Sequence, residues 1–316
     1  MDALANLLDG PRARDAFLLR AVMEPPWSVR IEDRAPLCLM TVARGEAWVV
    51  PGDGAPRRLG PGDVAVVRGP DPYTVADSPD TAPQAWILPD EKCRTADGRD
   101  LAEAMALGVR TWGNSADGST TLLIGTYLLD GEISGRLLNA LPPLLVLDGE
   151  VWDCPLMPWL GEEIVRDEAG QSAVLDRLLD LLLIAVLRAW FARPEARAPA
   201  WYRALGDPVV SHALRLLQNN PAHPWTVAGL AAKAGVSRAA LARRFTALVG
   251  EPPMAYLTGW RLALAADLLR EPDATLAAVA RRVGYGSAFA LSTAFKRERG
   301  ISPRDHRAHG PAPTAS

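Results

Sequence analysis

The chain has 316 residues, of which 49% are hydrophobic and 22% charged, a balance that excludes an intrinsically disordered protein and allows two ordinary domain cores. Its formal net charge of −3 conceals a segregation: residues 1–200 hold 19 Lys and Arg against 30 Asp and Glu, whereas residues 201–316 hold 15 against 7. Only the C-terminal third has the electrostatics to approach a polyanion, because Lys and Arg neutralising phosphates supply most sequence-independent affinity for DNA.

In chain order, the opening MDALANLLDGPRARD carries acids early and lacks the basic stretch and apolar run of a signal peptide, which predicts a cytoplasmic protein. From Trp27 to Leu147 the sequence reads as short β-strands: WSVRIE, LCLMTVA, EAWVV, DVAVV, AWIL and TTLLIGTYLL. Turn clusters such as PGDG at 51–54 and GPGD at 60–63 separate them, which predicts a small β-barrel within a domain spanning 1–170. A short helical stretch between Arg99 and Leu107 is expected to interrupt it, followed by a mobile polar loop, GNSADGS, at 113–119.

From Ser172 the period changes. Leu175, Leu178, Leu179, Leu182, Val186 and Trp190 recur at steps of three and four, predicting a helix to about Ala192 within a helical dimerisation and linker segment, 171–200. Leu181, Leu183, Ile184 and Leu187 widen this stripe nearly all round, so the helix must be covered on more than one side. The barrel with a neighbouring helix, or a second copy of the chain in a homodimer, would each supply that cover. The apolar run Leu178 to Leu187 is interrupted by Asp180 and is too short to span a bilayer, so no membrane partner is expected. RPEARAP at 193–199 reads as a linker.

The strongest pattern is an internal repeat. Thr226, Leu230, Ala231 and Gly235 form T-x3-L-A-x3-G, and Thr275, Val279, Ala280 and Gly284 form T-x3-V-A-x3-G. A second helix follows each: Ser237, Leu241 and Phe245 in the first copy, Ser287, Leu291 and Phe295 in the second. The hydroxyls stand where they can accept free N–H groups of a first helical turn, and glycine stands where a left-handed turn is cheap. Helix, short glycine turn and second helix make a helix-turn-helix, whose second member enters the major groove. Opposite Leu241 and Phe245 the groove-facing set is Ser237, Arg238, Ala239, Ala242, Arg243 and Thr246. Its counterpart in the second copy is Ser287, Ala288, Phe289, Ser292, Thr293, Lys296 and Arg297. Between the units, Met254 to Leu269 reads as a helix of roughly 24 Å. It would hold the two recognition helices about 34 Å apart, one turn of DNA.

The run GYGSAFALSTAFKRERGISPRDHR, Gly284 to Arg307, resembles the C-terminal signature of the AraC/XylS regulators, and Trp225 to Leu269 is similar to that family's first unit and linker helix. WSVRI…GEAWVV…LGPGDVAVVRG, followed by ALPPLLVL and DRLLDLLLIAVLRAWF, resembles the subgroup with a cupin sensing domain. The resemblance implies an α+β two-domain protein: an N-terminal cupin-like barrel with a helical dimerisation region, then an all-α DNA-binding domain at 205–308 and a disordered tail at 309–316. It implies promoter DNA and RNA polymerase as partners and a homodimer as the functional species. It also makes Arg243 the base-contacting candidate of the first unit, since arginine pairs bidentately with guanine. The second unit departs from the family pattern, with Thr293 where many members carry arginine and Leu291 in place of phenylalanine.

All four histidines, His212, His223, His306 and His309, lie beyond residue 200, so the barrel has no histidine cluster for a metal. Three dispersed cysteines form neither a zinc spacing nor a disulfide framework, and no nucleophile–base or paired-carboxylate set is present. No catalytic residue, metal or cofactor is therefore expected, and the barrel reads as a sensor of a small-molecule effector with Trp48, Tyr73 and Trp86 as candidate wall residues. Cys93, beside Lys92 and Arg94, is the redox candidate, because neighbouring cations favour a thiolate; Cys38 is expected to be buried and inert, and Cys154 is left open. The alternative is a metal-independent cupin enzyme fused to a DNA-binding module, and a third reading is an architectural DNA binder.

Overall fold

The computed structural model describes residues 17–89, 92–127, 131–152, 154–193, 196 and 198–308. The readings of the first sixteen residues and of the 309–316 tail lie outside the described residues, as do positions 194, 195 and 197 of the expected linker. Among the described residues the chain folds as two units: one comprises 17–127 and the described residues of 138–196, the other 131–137 and 198–308.

The first unit is built on thirteen described strands. They are β1 (Phe17–Met23), β2 (Ser28–Ile31), β3 (Leu37–Arg44), β4 (Ala47–Pro51), β5 (Arg57–Leu59), β6 (Val64–Arg68), β7 (Tyr73–Ala76), β8 (Ala85–Ile87), β9 (Cys93–Arg94), β10 (Ala106–Gly108), β11 (Thr111–Gly113), β12 (Thr120–Tyr127) and β13 (Leu144–Leu147). They form one sheet ordered β10-β11-β1-β12-β3-β6-β13 and a second ordered β5-β4-β7-β2-β8-β9. A single apolar core draws on both sheets: Met40, Val42 and Leu122 come from the first, Val29, Val49 and Val75 from the second. Strand parity decides which residues reach it. In β4, Ala47 and Val49 are buried while Trp48 and Val50, on the opposite face, are half-buried.

The central strands β3 and β12 are buried along most of their length on both faces, β3 with an almost unbroken apolar run and β12 with threonines among its leucines. On the face away from the shared core lies the helix Gln171–Phe191, against which Tyr127 donates its hydroxyl to the Leu179 carbonyl at 2.8 Å. Gly125 faces the same leucine, and a Cβ there would lie 2.8 Å from its Cδ2. The helix begins one residue before the expected start and ends one before the expected end, with Leu175, Leu178, Leu182, Val186 and Leu187 buried.

Two local expectations change. Residues 99–107 do not form a helix. Two turn bonds, from Met105 N to Leu101 O (3.0 Å) and from Ala106 N to Glu103 O (3.3 Å), give way at once to β10, and the Met105 carbonyl accepts from Gly113 N at 2.8 Å. The polar loop at 113–119 is tied to Glu24: Asn114 accepts from its N–H (2.7 Å) and donates to its carbonyl (2.8 Å), and Ser119 N donates to its carboxylate (2.7 Å).

Helices in chain order are α1 (Glu132–Leu138), α2 (Leu156–Glu163), α3 (Gln171–Phe191), α4 (Ala200–Arg203), α5 (Pro208–Asn219), α6 (Val227–Lys233), α7 (Arg238–Val249), α8 (Pro253–Leu268), α9 (Leu276–Arg282), α10 (Ala288–Arg299) and α11 (Pro303–Ala308). The second unit holds two apolar clusters joined by α8. Leu214, Leu230, Leu241, Phe245 and Trp260 pack in the first; Leu262, Val279, Leu291 and Phe295 pack in the second. Residues 131–137, which the sequence places within the sensing domain, pack with this unit. The carboxylate of Asp267 on α8 accepts the first free N–H groups of α1, from Glu132 at 2.6 Å and Ile133 at 3.1 Å, and so caps the helix from outside it. Glu132 forms an ion pair with Arg299 at the end of α10, Ile133 enters the first cluster, and the Arg136 guanidinium lies 5.6 Å from the Trp260 ring centroid.

Candidate nucleic-acid interface and effector cavity

Each half of the repeat is capped as its spacing predicts. Thr226 accepts from Gly229 N at 3.0 Å and Ser237 from Ala240 N at 3.2 Å. In the second copy Thr275 accepts from Ala278 N at 3.2 Å and Ser287 from Ala290 N at 3.1 Å. Gly235 and Gly284 turn the chain between the paired helices at φ +69° and +84°, in the left-handed region. α6–α7 and α9–α10 are thus two helix-turn-helix units, with Leu241 and Phe245, and Leu291 and Phe295, fully buried beneath the second helix of each.

The opposite faces carry the candidate DNA residues. Arg238, Ala239, Arg243 and Thr246 on α7 are exposed and Ala242 is half-buried. On α10, Phe289, Thr293, Lys296 and Arg297 are exposed, with Ala288 and Ser292 half-buried. Ser237 and Ser287 stand exposed at the helix starts, their hydroxyls engaged as caps. Phe289 is 81% exposed, which is unusual for a phenylalanine and leaves its ring available to a thymine methyl. Thr293 donates its hydroxyl to the Phe289 carbonyl at 3.0 Å, so on α10 the position expected to read bases spends its proton within the helix. Arg243 makes no ion pair among the described residues, whereas its neighbour Arg244 is held by Asp207 at 2.8 Å, the residue that caps α5.

In the first unit a cavity of about 300 Å³ opens within the shared core. Its wall is largely apolar, with Met23, Trp27, Trp112 and Leu122 among the contributors and a polar group formed by Asp33, Cys38, Tyr73 and Thr126. Tyr73 lines this cavity; Trp48 and Trp86 do not, because Ala47 and Val49, and Ala85 and Ile87, take the inward positions of their strands. Trp27, Asp33 and Trp112 escaped the sequence reading. Strand parity in WSVRI, where Trp27, Val29 and Ile31 alternate, would have found the first; Asp33 follows a strand end and Trp112 sits in a three-residue strand, where periodicity carries no signal.

Cys93 differs from the redox expectation, whereas Cys38 is buried as expected. Cys93 is buried in β9 and lines the cavity, and burial pushes its thiol up to about 11, opposite to the lowering that adjacent Lys92 and Arg94 suggested. Burial takes Cys38 to about 12, and Cys154 is buried as well. Sequence proximity of the cations does not reach a thiol that points inward, so the structure works against Cys93 as a thiolate switch.

Among the described residues no group of three or more His, Cys, Asp or Glu side chains could hold a metal ion. Elemental analysis of the purified protein is accordingly expected to find no stoichiometric transition metal, and chelator is expected to leave DNA affinity unchanged; one metal per chain would reverse this reading. No helix among the described residues is long and apolar enough to cross a membrane.

A cupin-like unit joined to paired helix-turn-helix units defines a DNA-binding transcription regulator. Residues 2–192 match the family model described as a cupin, and residues 230–309 one described as a helix-turn-helix domain. A putative AraC-like transcription regulator of Streptomyces lividans is 34% identical, with 99% of this chain and 100% of that protein covered. The HTH-type transcriptional regulator AlkR of Acinetobacter baylyi is 27% identical over 97% of this chain and 99% of its own length. Among solved structures, a regulator with an AraC-type DNA-binding domain from Chromobacterium violaceum is 28% identical with a TM-score of 0.33, covering 35% of this chain and 99% of its own. The chain belongs to the AraC-like family of transcription regulators.

Proposed function

We propose that this regulator binds promoter DNA as a homodimer, that each chain reads two successive major-groove segments through α7 and α10, and that a small molecule held in the cupin cavity sets how strongly it does so. The observation that carries this reading is the coexistence in one chain of an internal cavity of about 300 Å³ and two exposed recognition faces. A cavity of this size lies in the range that holds small ligands. RNA polymerase is the further partner this reading calls for at a promoter.

The dimer surface is assigned to α2 and α3. Val174 and Leu181 stand exposed two helical turns apart on α3, and Trp159 on α2 is 51% exposed. A second copy of the same surface would cover them, as a two-fold interface requires. The test joins both claims. Sedimentation should give a dimer for the native chain and a monomer for Leu181→Glu, and the monomer should lose affinity for a two-site promoter more than for a single half-site. A native monomer would remove the dimer. DNA affinity indifferent to every cavity ligand that binds would remove effector control and favour a purely architectural role.

A further inference from the structure

The cavity is not uniformly apolar, and its polar group has a definite chemistry. Thr126 stands opposite Cys38 in the β3–β12 register, and the Cys38 thiol hydrogen-bonds to both Thr126 and Tyr73. Asp33 lies close enough to add its negative charge to the surroundings of both Cys38 and Tyr73. Its carboxylate accepts from backbone N–H groups alone, that of Ala35 at 3.0 Å and its own, and has no cationic partner among the described residues. The remaining wall is largely hydrocarbon and aromatic, with the sulfurs of Met23 and Cys93 and two indoles, Trp27 and Trp112. The Trp27 side chain is 1% exposed, and its N–H finds no acceptor among the described residues.

We infer that the cavity takes a small organic amine: an apolar, ring-sized body lying against Trp27 and Trp112, with its ammonium group donating to the carboxylate of Asp33. This rests on the reading of the cavity as the effector site and names the ligand class. A carboxylate in an apolar enclosure is costly unless a cation or hydrogen-bond donors meet it, and indole faces attract cations. Burial raises the Asp33 carboxyl above the usual carboxylate range, as expected of an acid still lacking its counter-charge. An anionic ligand would meet repulsion at Asp33, and a neutral hydrocarbon would leave it uncompensated. A cavity of roughly 150 Å³ accommodates one benzene ring, so this cavity has room for a ring with a short aminoalkyl arm. An acceptor oxygen on the ligand would gain further from the unpaired indole N–H of Trp27.

The experiment is isothermal titration of the full-length protein with 2-phenylethylamine, its neutral counterpart propylbenzene and its anionic counterpart 3-phenylpropanoate, repeated with Asp33→Asn. Asparagine keeps an oxygen for the Ala35 N–H and removes the charge. The native protein should bind the amine about ten- to a hundredfold tighter than either counterpart, the range of a hydrogen bond to a charged group, and Asp33→Asn should erase that preference. Equal or tighter binding of propylbenzene, a preference that survives in Asp33→Asn, or no binding of any of the three overturns the proposal. Should Asp33→Asn not fold, the ranking of the three ligands on the native chain decides. Promoter affinity measured in parallel separates the two readings. Selective amine binding with unchanged DNA affinity supports the ligand class and overturns effector control, whereas DNA affinity that responds to propylbenzene instead keeps effector control and overturns the amine.

Discussion

Replacing Arg243 by alanine is expected to lower affinity for the correct promoter site by about 1–3 kcal/mol and to relax preference at a single base pair, while affinity for scrambled DNA falls far less. Arg243 projects from α7 on the side opposite the buried Leu241 and Phe245, is exposed, and forms no ion pair among the described residues. Its guanidinium is free to make a bidentate contact with a guanine edge. Arg244, one position on, is committed to Asp207, so Arg244→Ala should act on the fold of the unit and not on base preference. Lys296 lies in the last turn of α10 and is exposed, which suits phosphate. Lys296→Ala should weaken binding alike on all sequences and lower the salt slope by about 1. Titrations of specific and scrambled DNA at several salt concentrations resolve the two behaviours. If Arg243→Ala weakens both DNAs equally, Arg243 grips the backbone and α7 docks differently.

Gly284→Ala is expected to be the most damaging single-methyl change in the second helix-turn-helix unit, and Gly235→Ala, at the equivalent turn of the first, a mild one. Both glycines hold positive φ, so an alanine at either position costs about 1–2 kcal/mol in backbone strain. Their surroundings differ. A Cβ on Gly235 meets nothing within 4 Å, but on Gly284 it would lie 2.7 Å from the Ala222 Cα and 2.9 Å from the Ala222 carbonyl oxygen, backbone atoms that cannot swing aside. Arg261 on α8 fixes that neighbouring backbone by donating to the carbonyls of Pro221 and His223 at 2.7 and 2.9 Å. Gly284→Ala should therefore cost about 3 kcal/mol or more and lower the thermal midpoint at least twice as far as Gly235→Ala. Thermal unfolding followed by far-ultraviolet circular dichroism gives the comparison. Equal shifts would mean that the backbone near Ala222 yields readily.

The DNA-binding unit was legible in the sequence because its determinants are local. A hydroxyl capping each helix of the repeat, glycine at each turn and burial at three- and four-residue steps are all set within a dozen residues, and they recur at matching positions. The sensing unit yielded its strands, which among the described residues form two sheets and not one closed barrel, but not the inside of its cavity. Trp48 and Trp86 look as suitable as Tyr73 on composition, and only the pairing partners that fix each strand's inward face separate them. The helix forecast at 99–107 failed because Ala106 and Gly108 pair with β11 and the Met105 carbonyl accepts from Gly113 N, bonds that propensity over a short window does not register. α1 was invisible for the same reason on a larger scale. DGEISGRLL has little to mark it as part of the DNA-binding unit, since the residues that hold it, Asp267 and Arg299, lie more than a hundred positions away.

That helix bears on how interchangeable the parts of such regulators are. The chain passes into the DNA-binding unit at residue 131, leaves it at 138 and enters again at 198, so the unit is not a segment that one cut can release. A fragment beginning at 198 would leave the Asp267 carboxylate with no helix start to cap, Arg299 with no Glu132 and a vacancy where Ile133 fills the first cluster. A hybrid joined at that single point to a foreign sensing domain would inherit those same losses unless the new domain brought its own seven-residue graft of 131–137. Modularity in this chain therefore follows the packing of side chains, and the order of residues along the backbone is a poor guide to where one part stops.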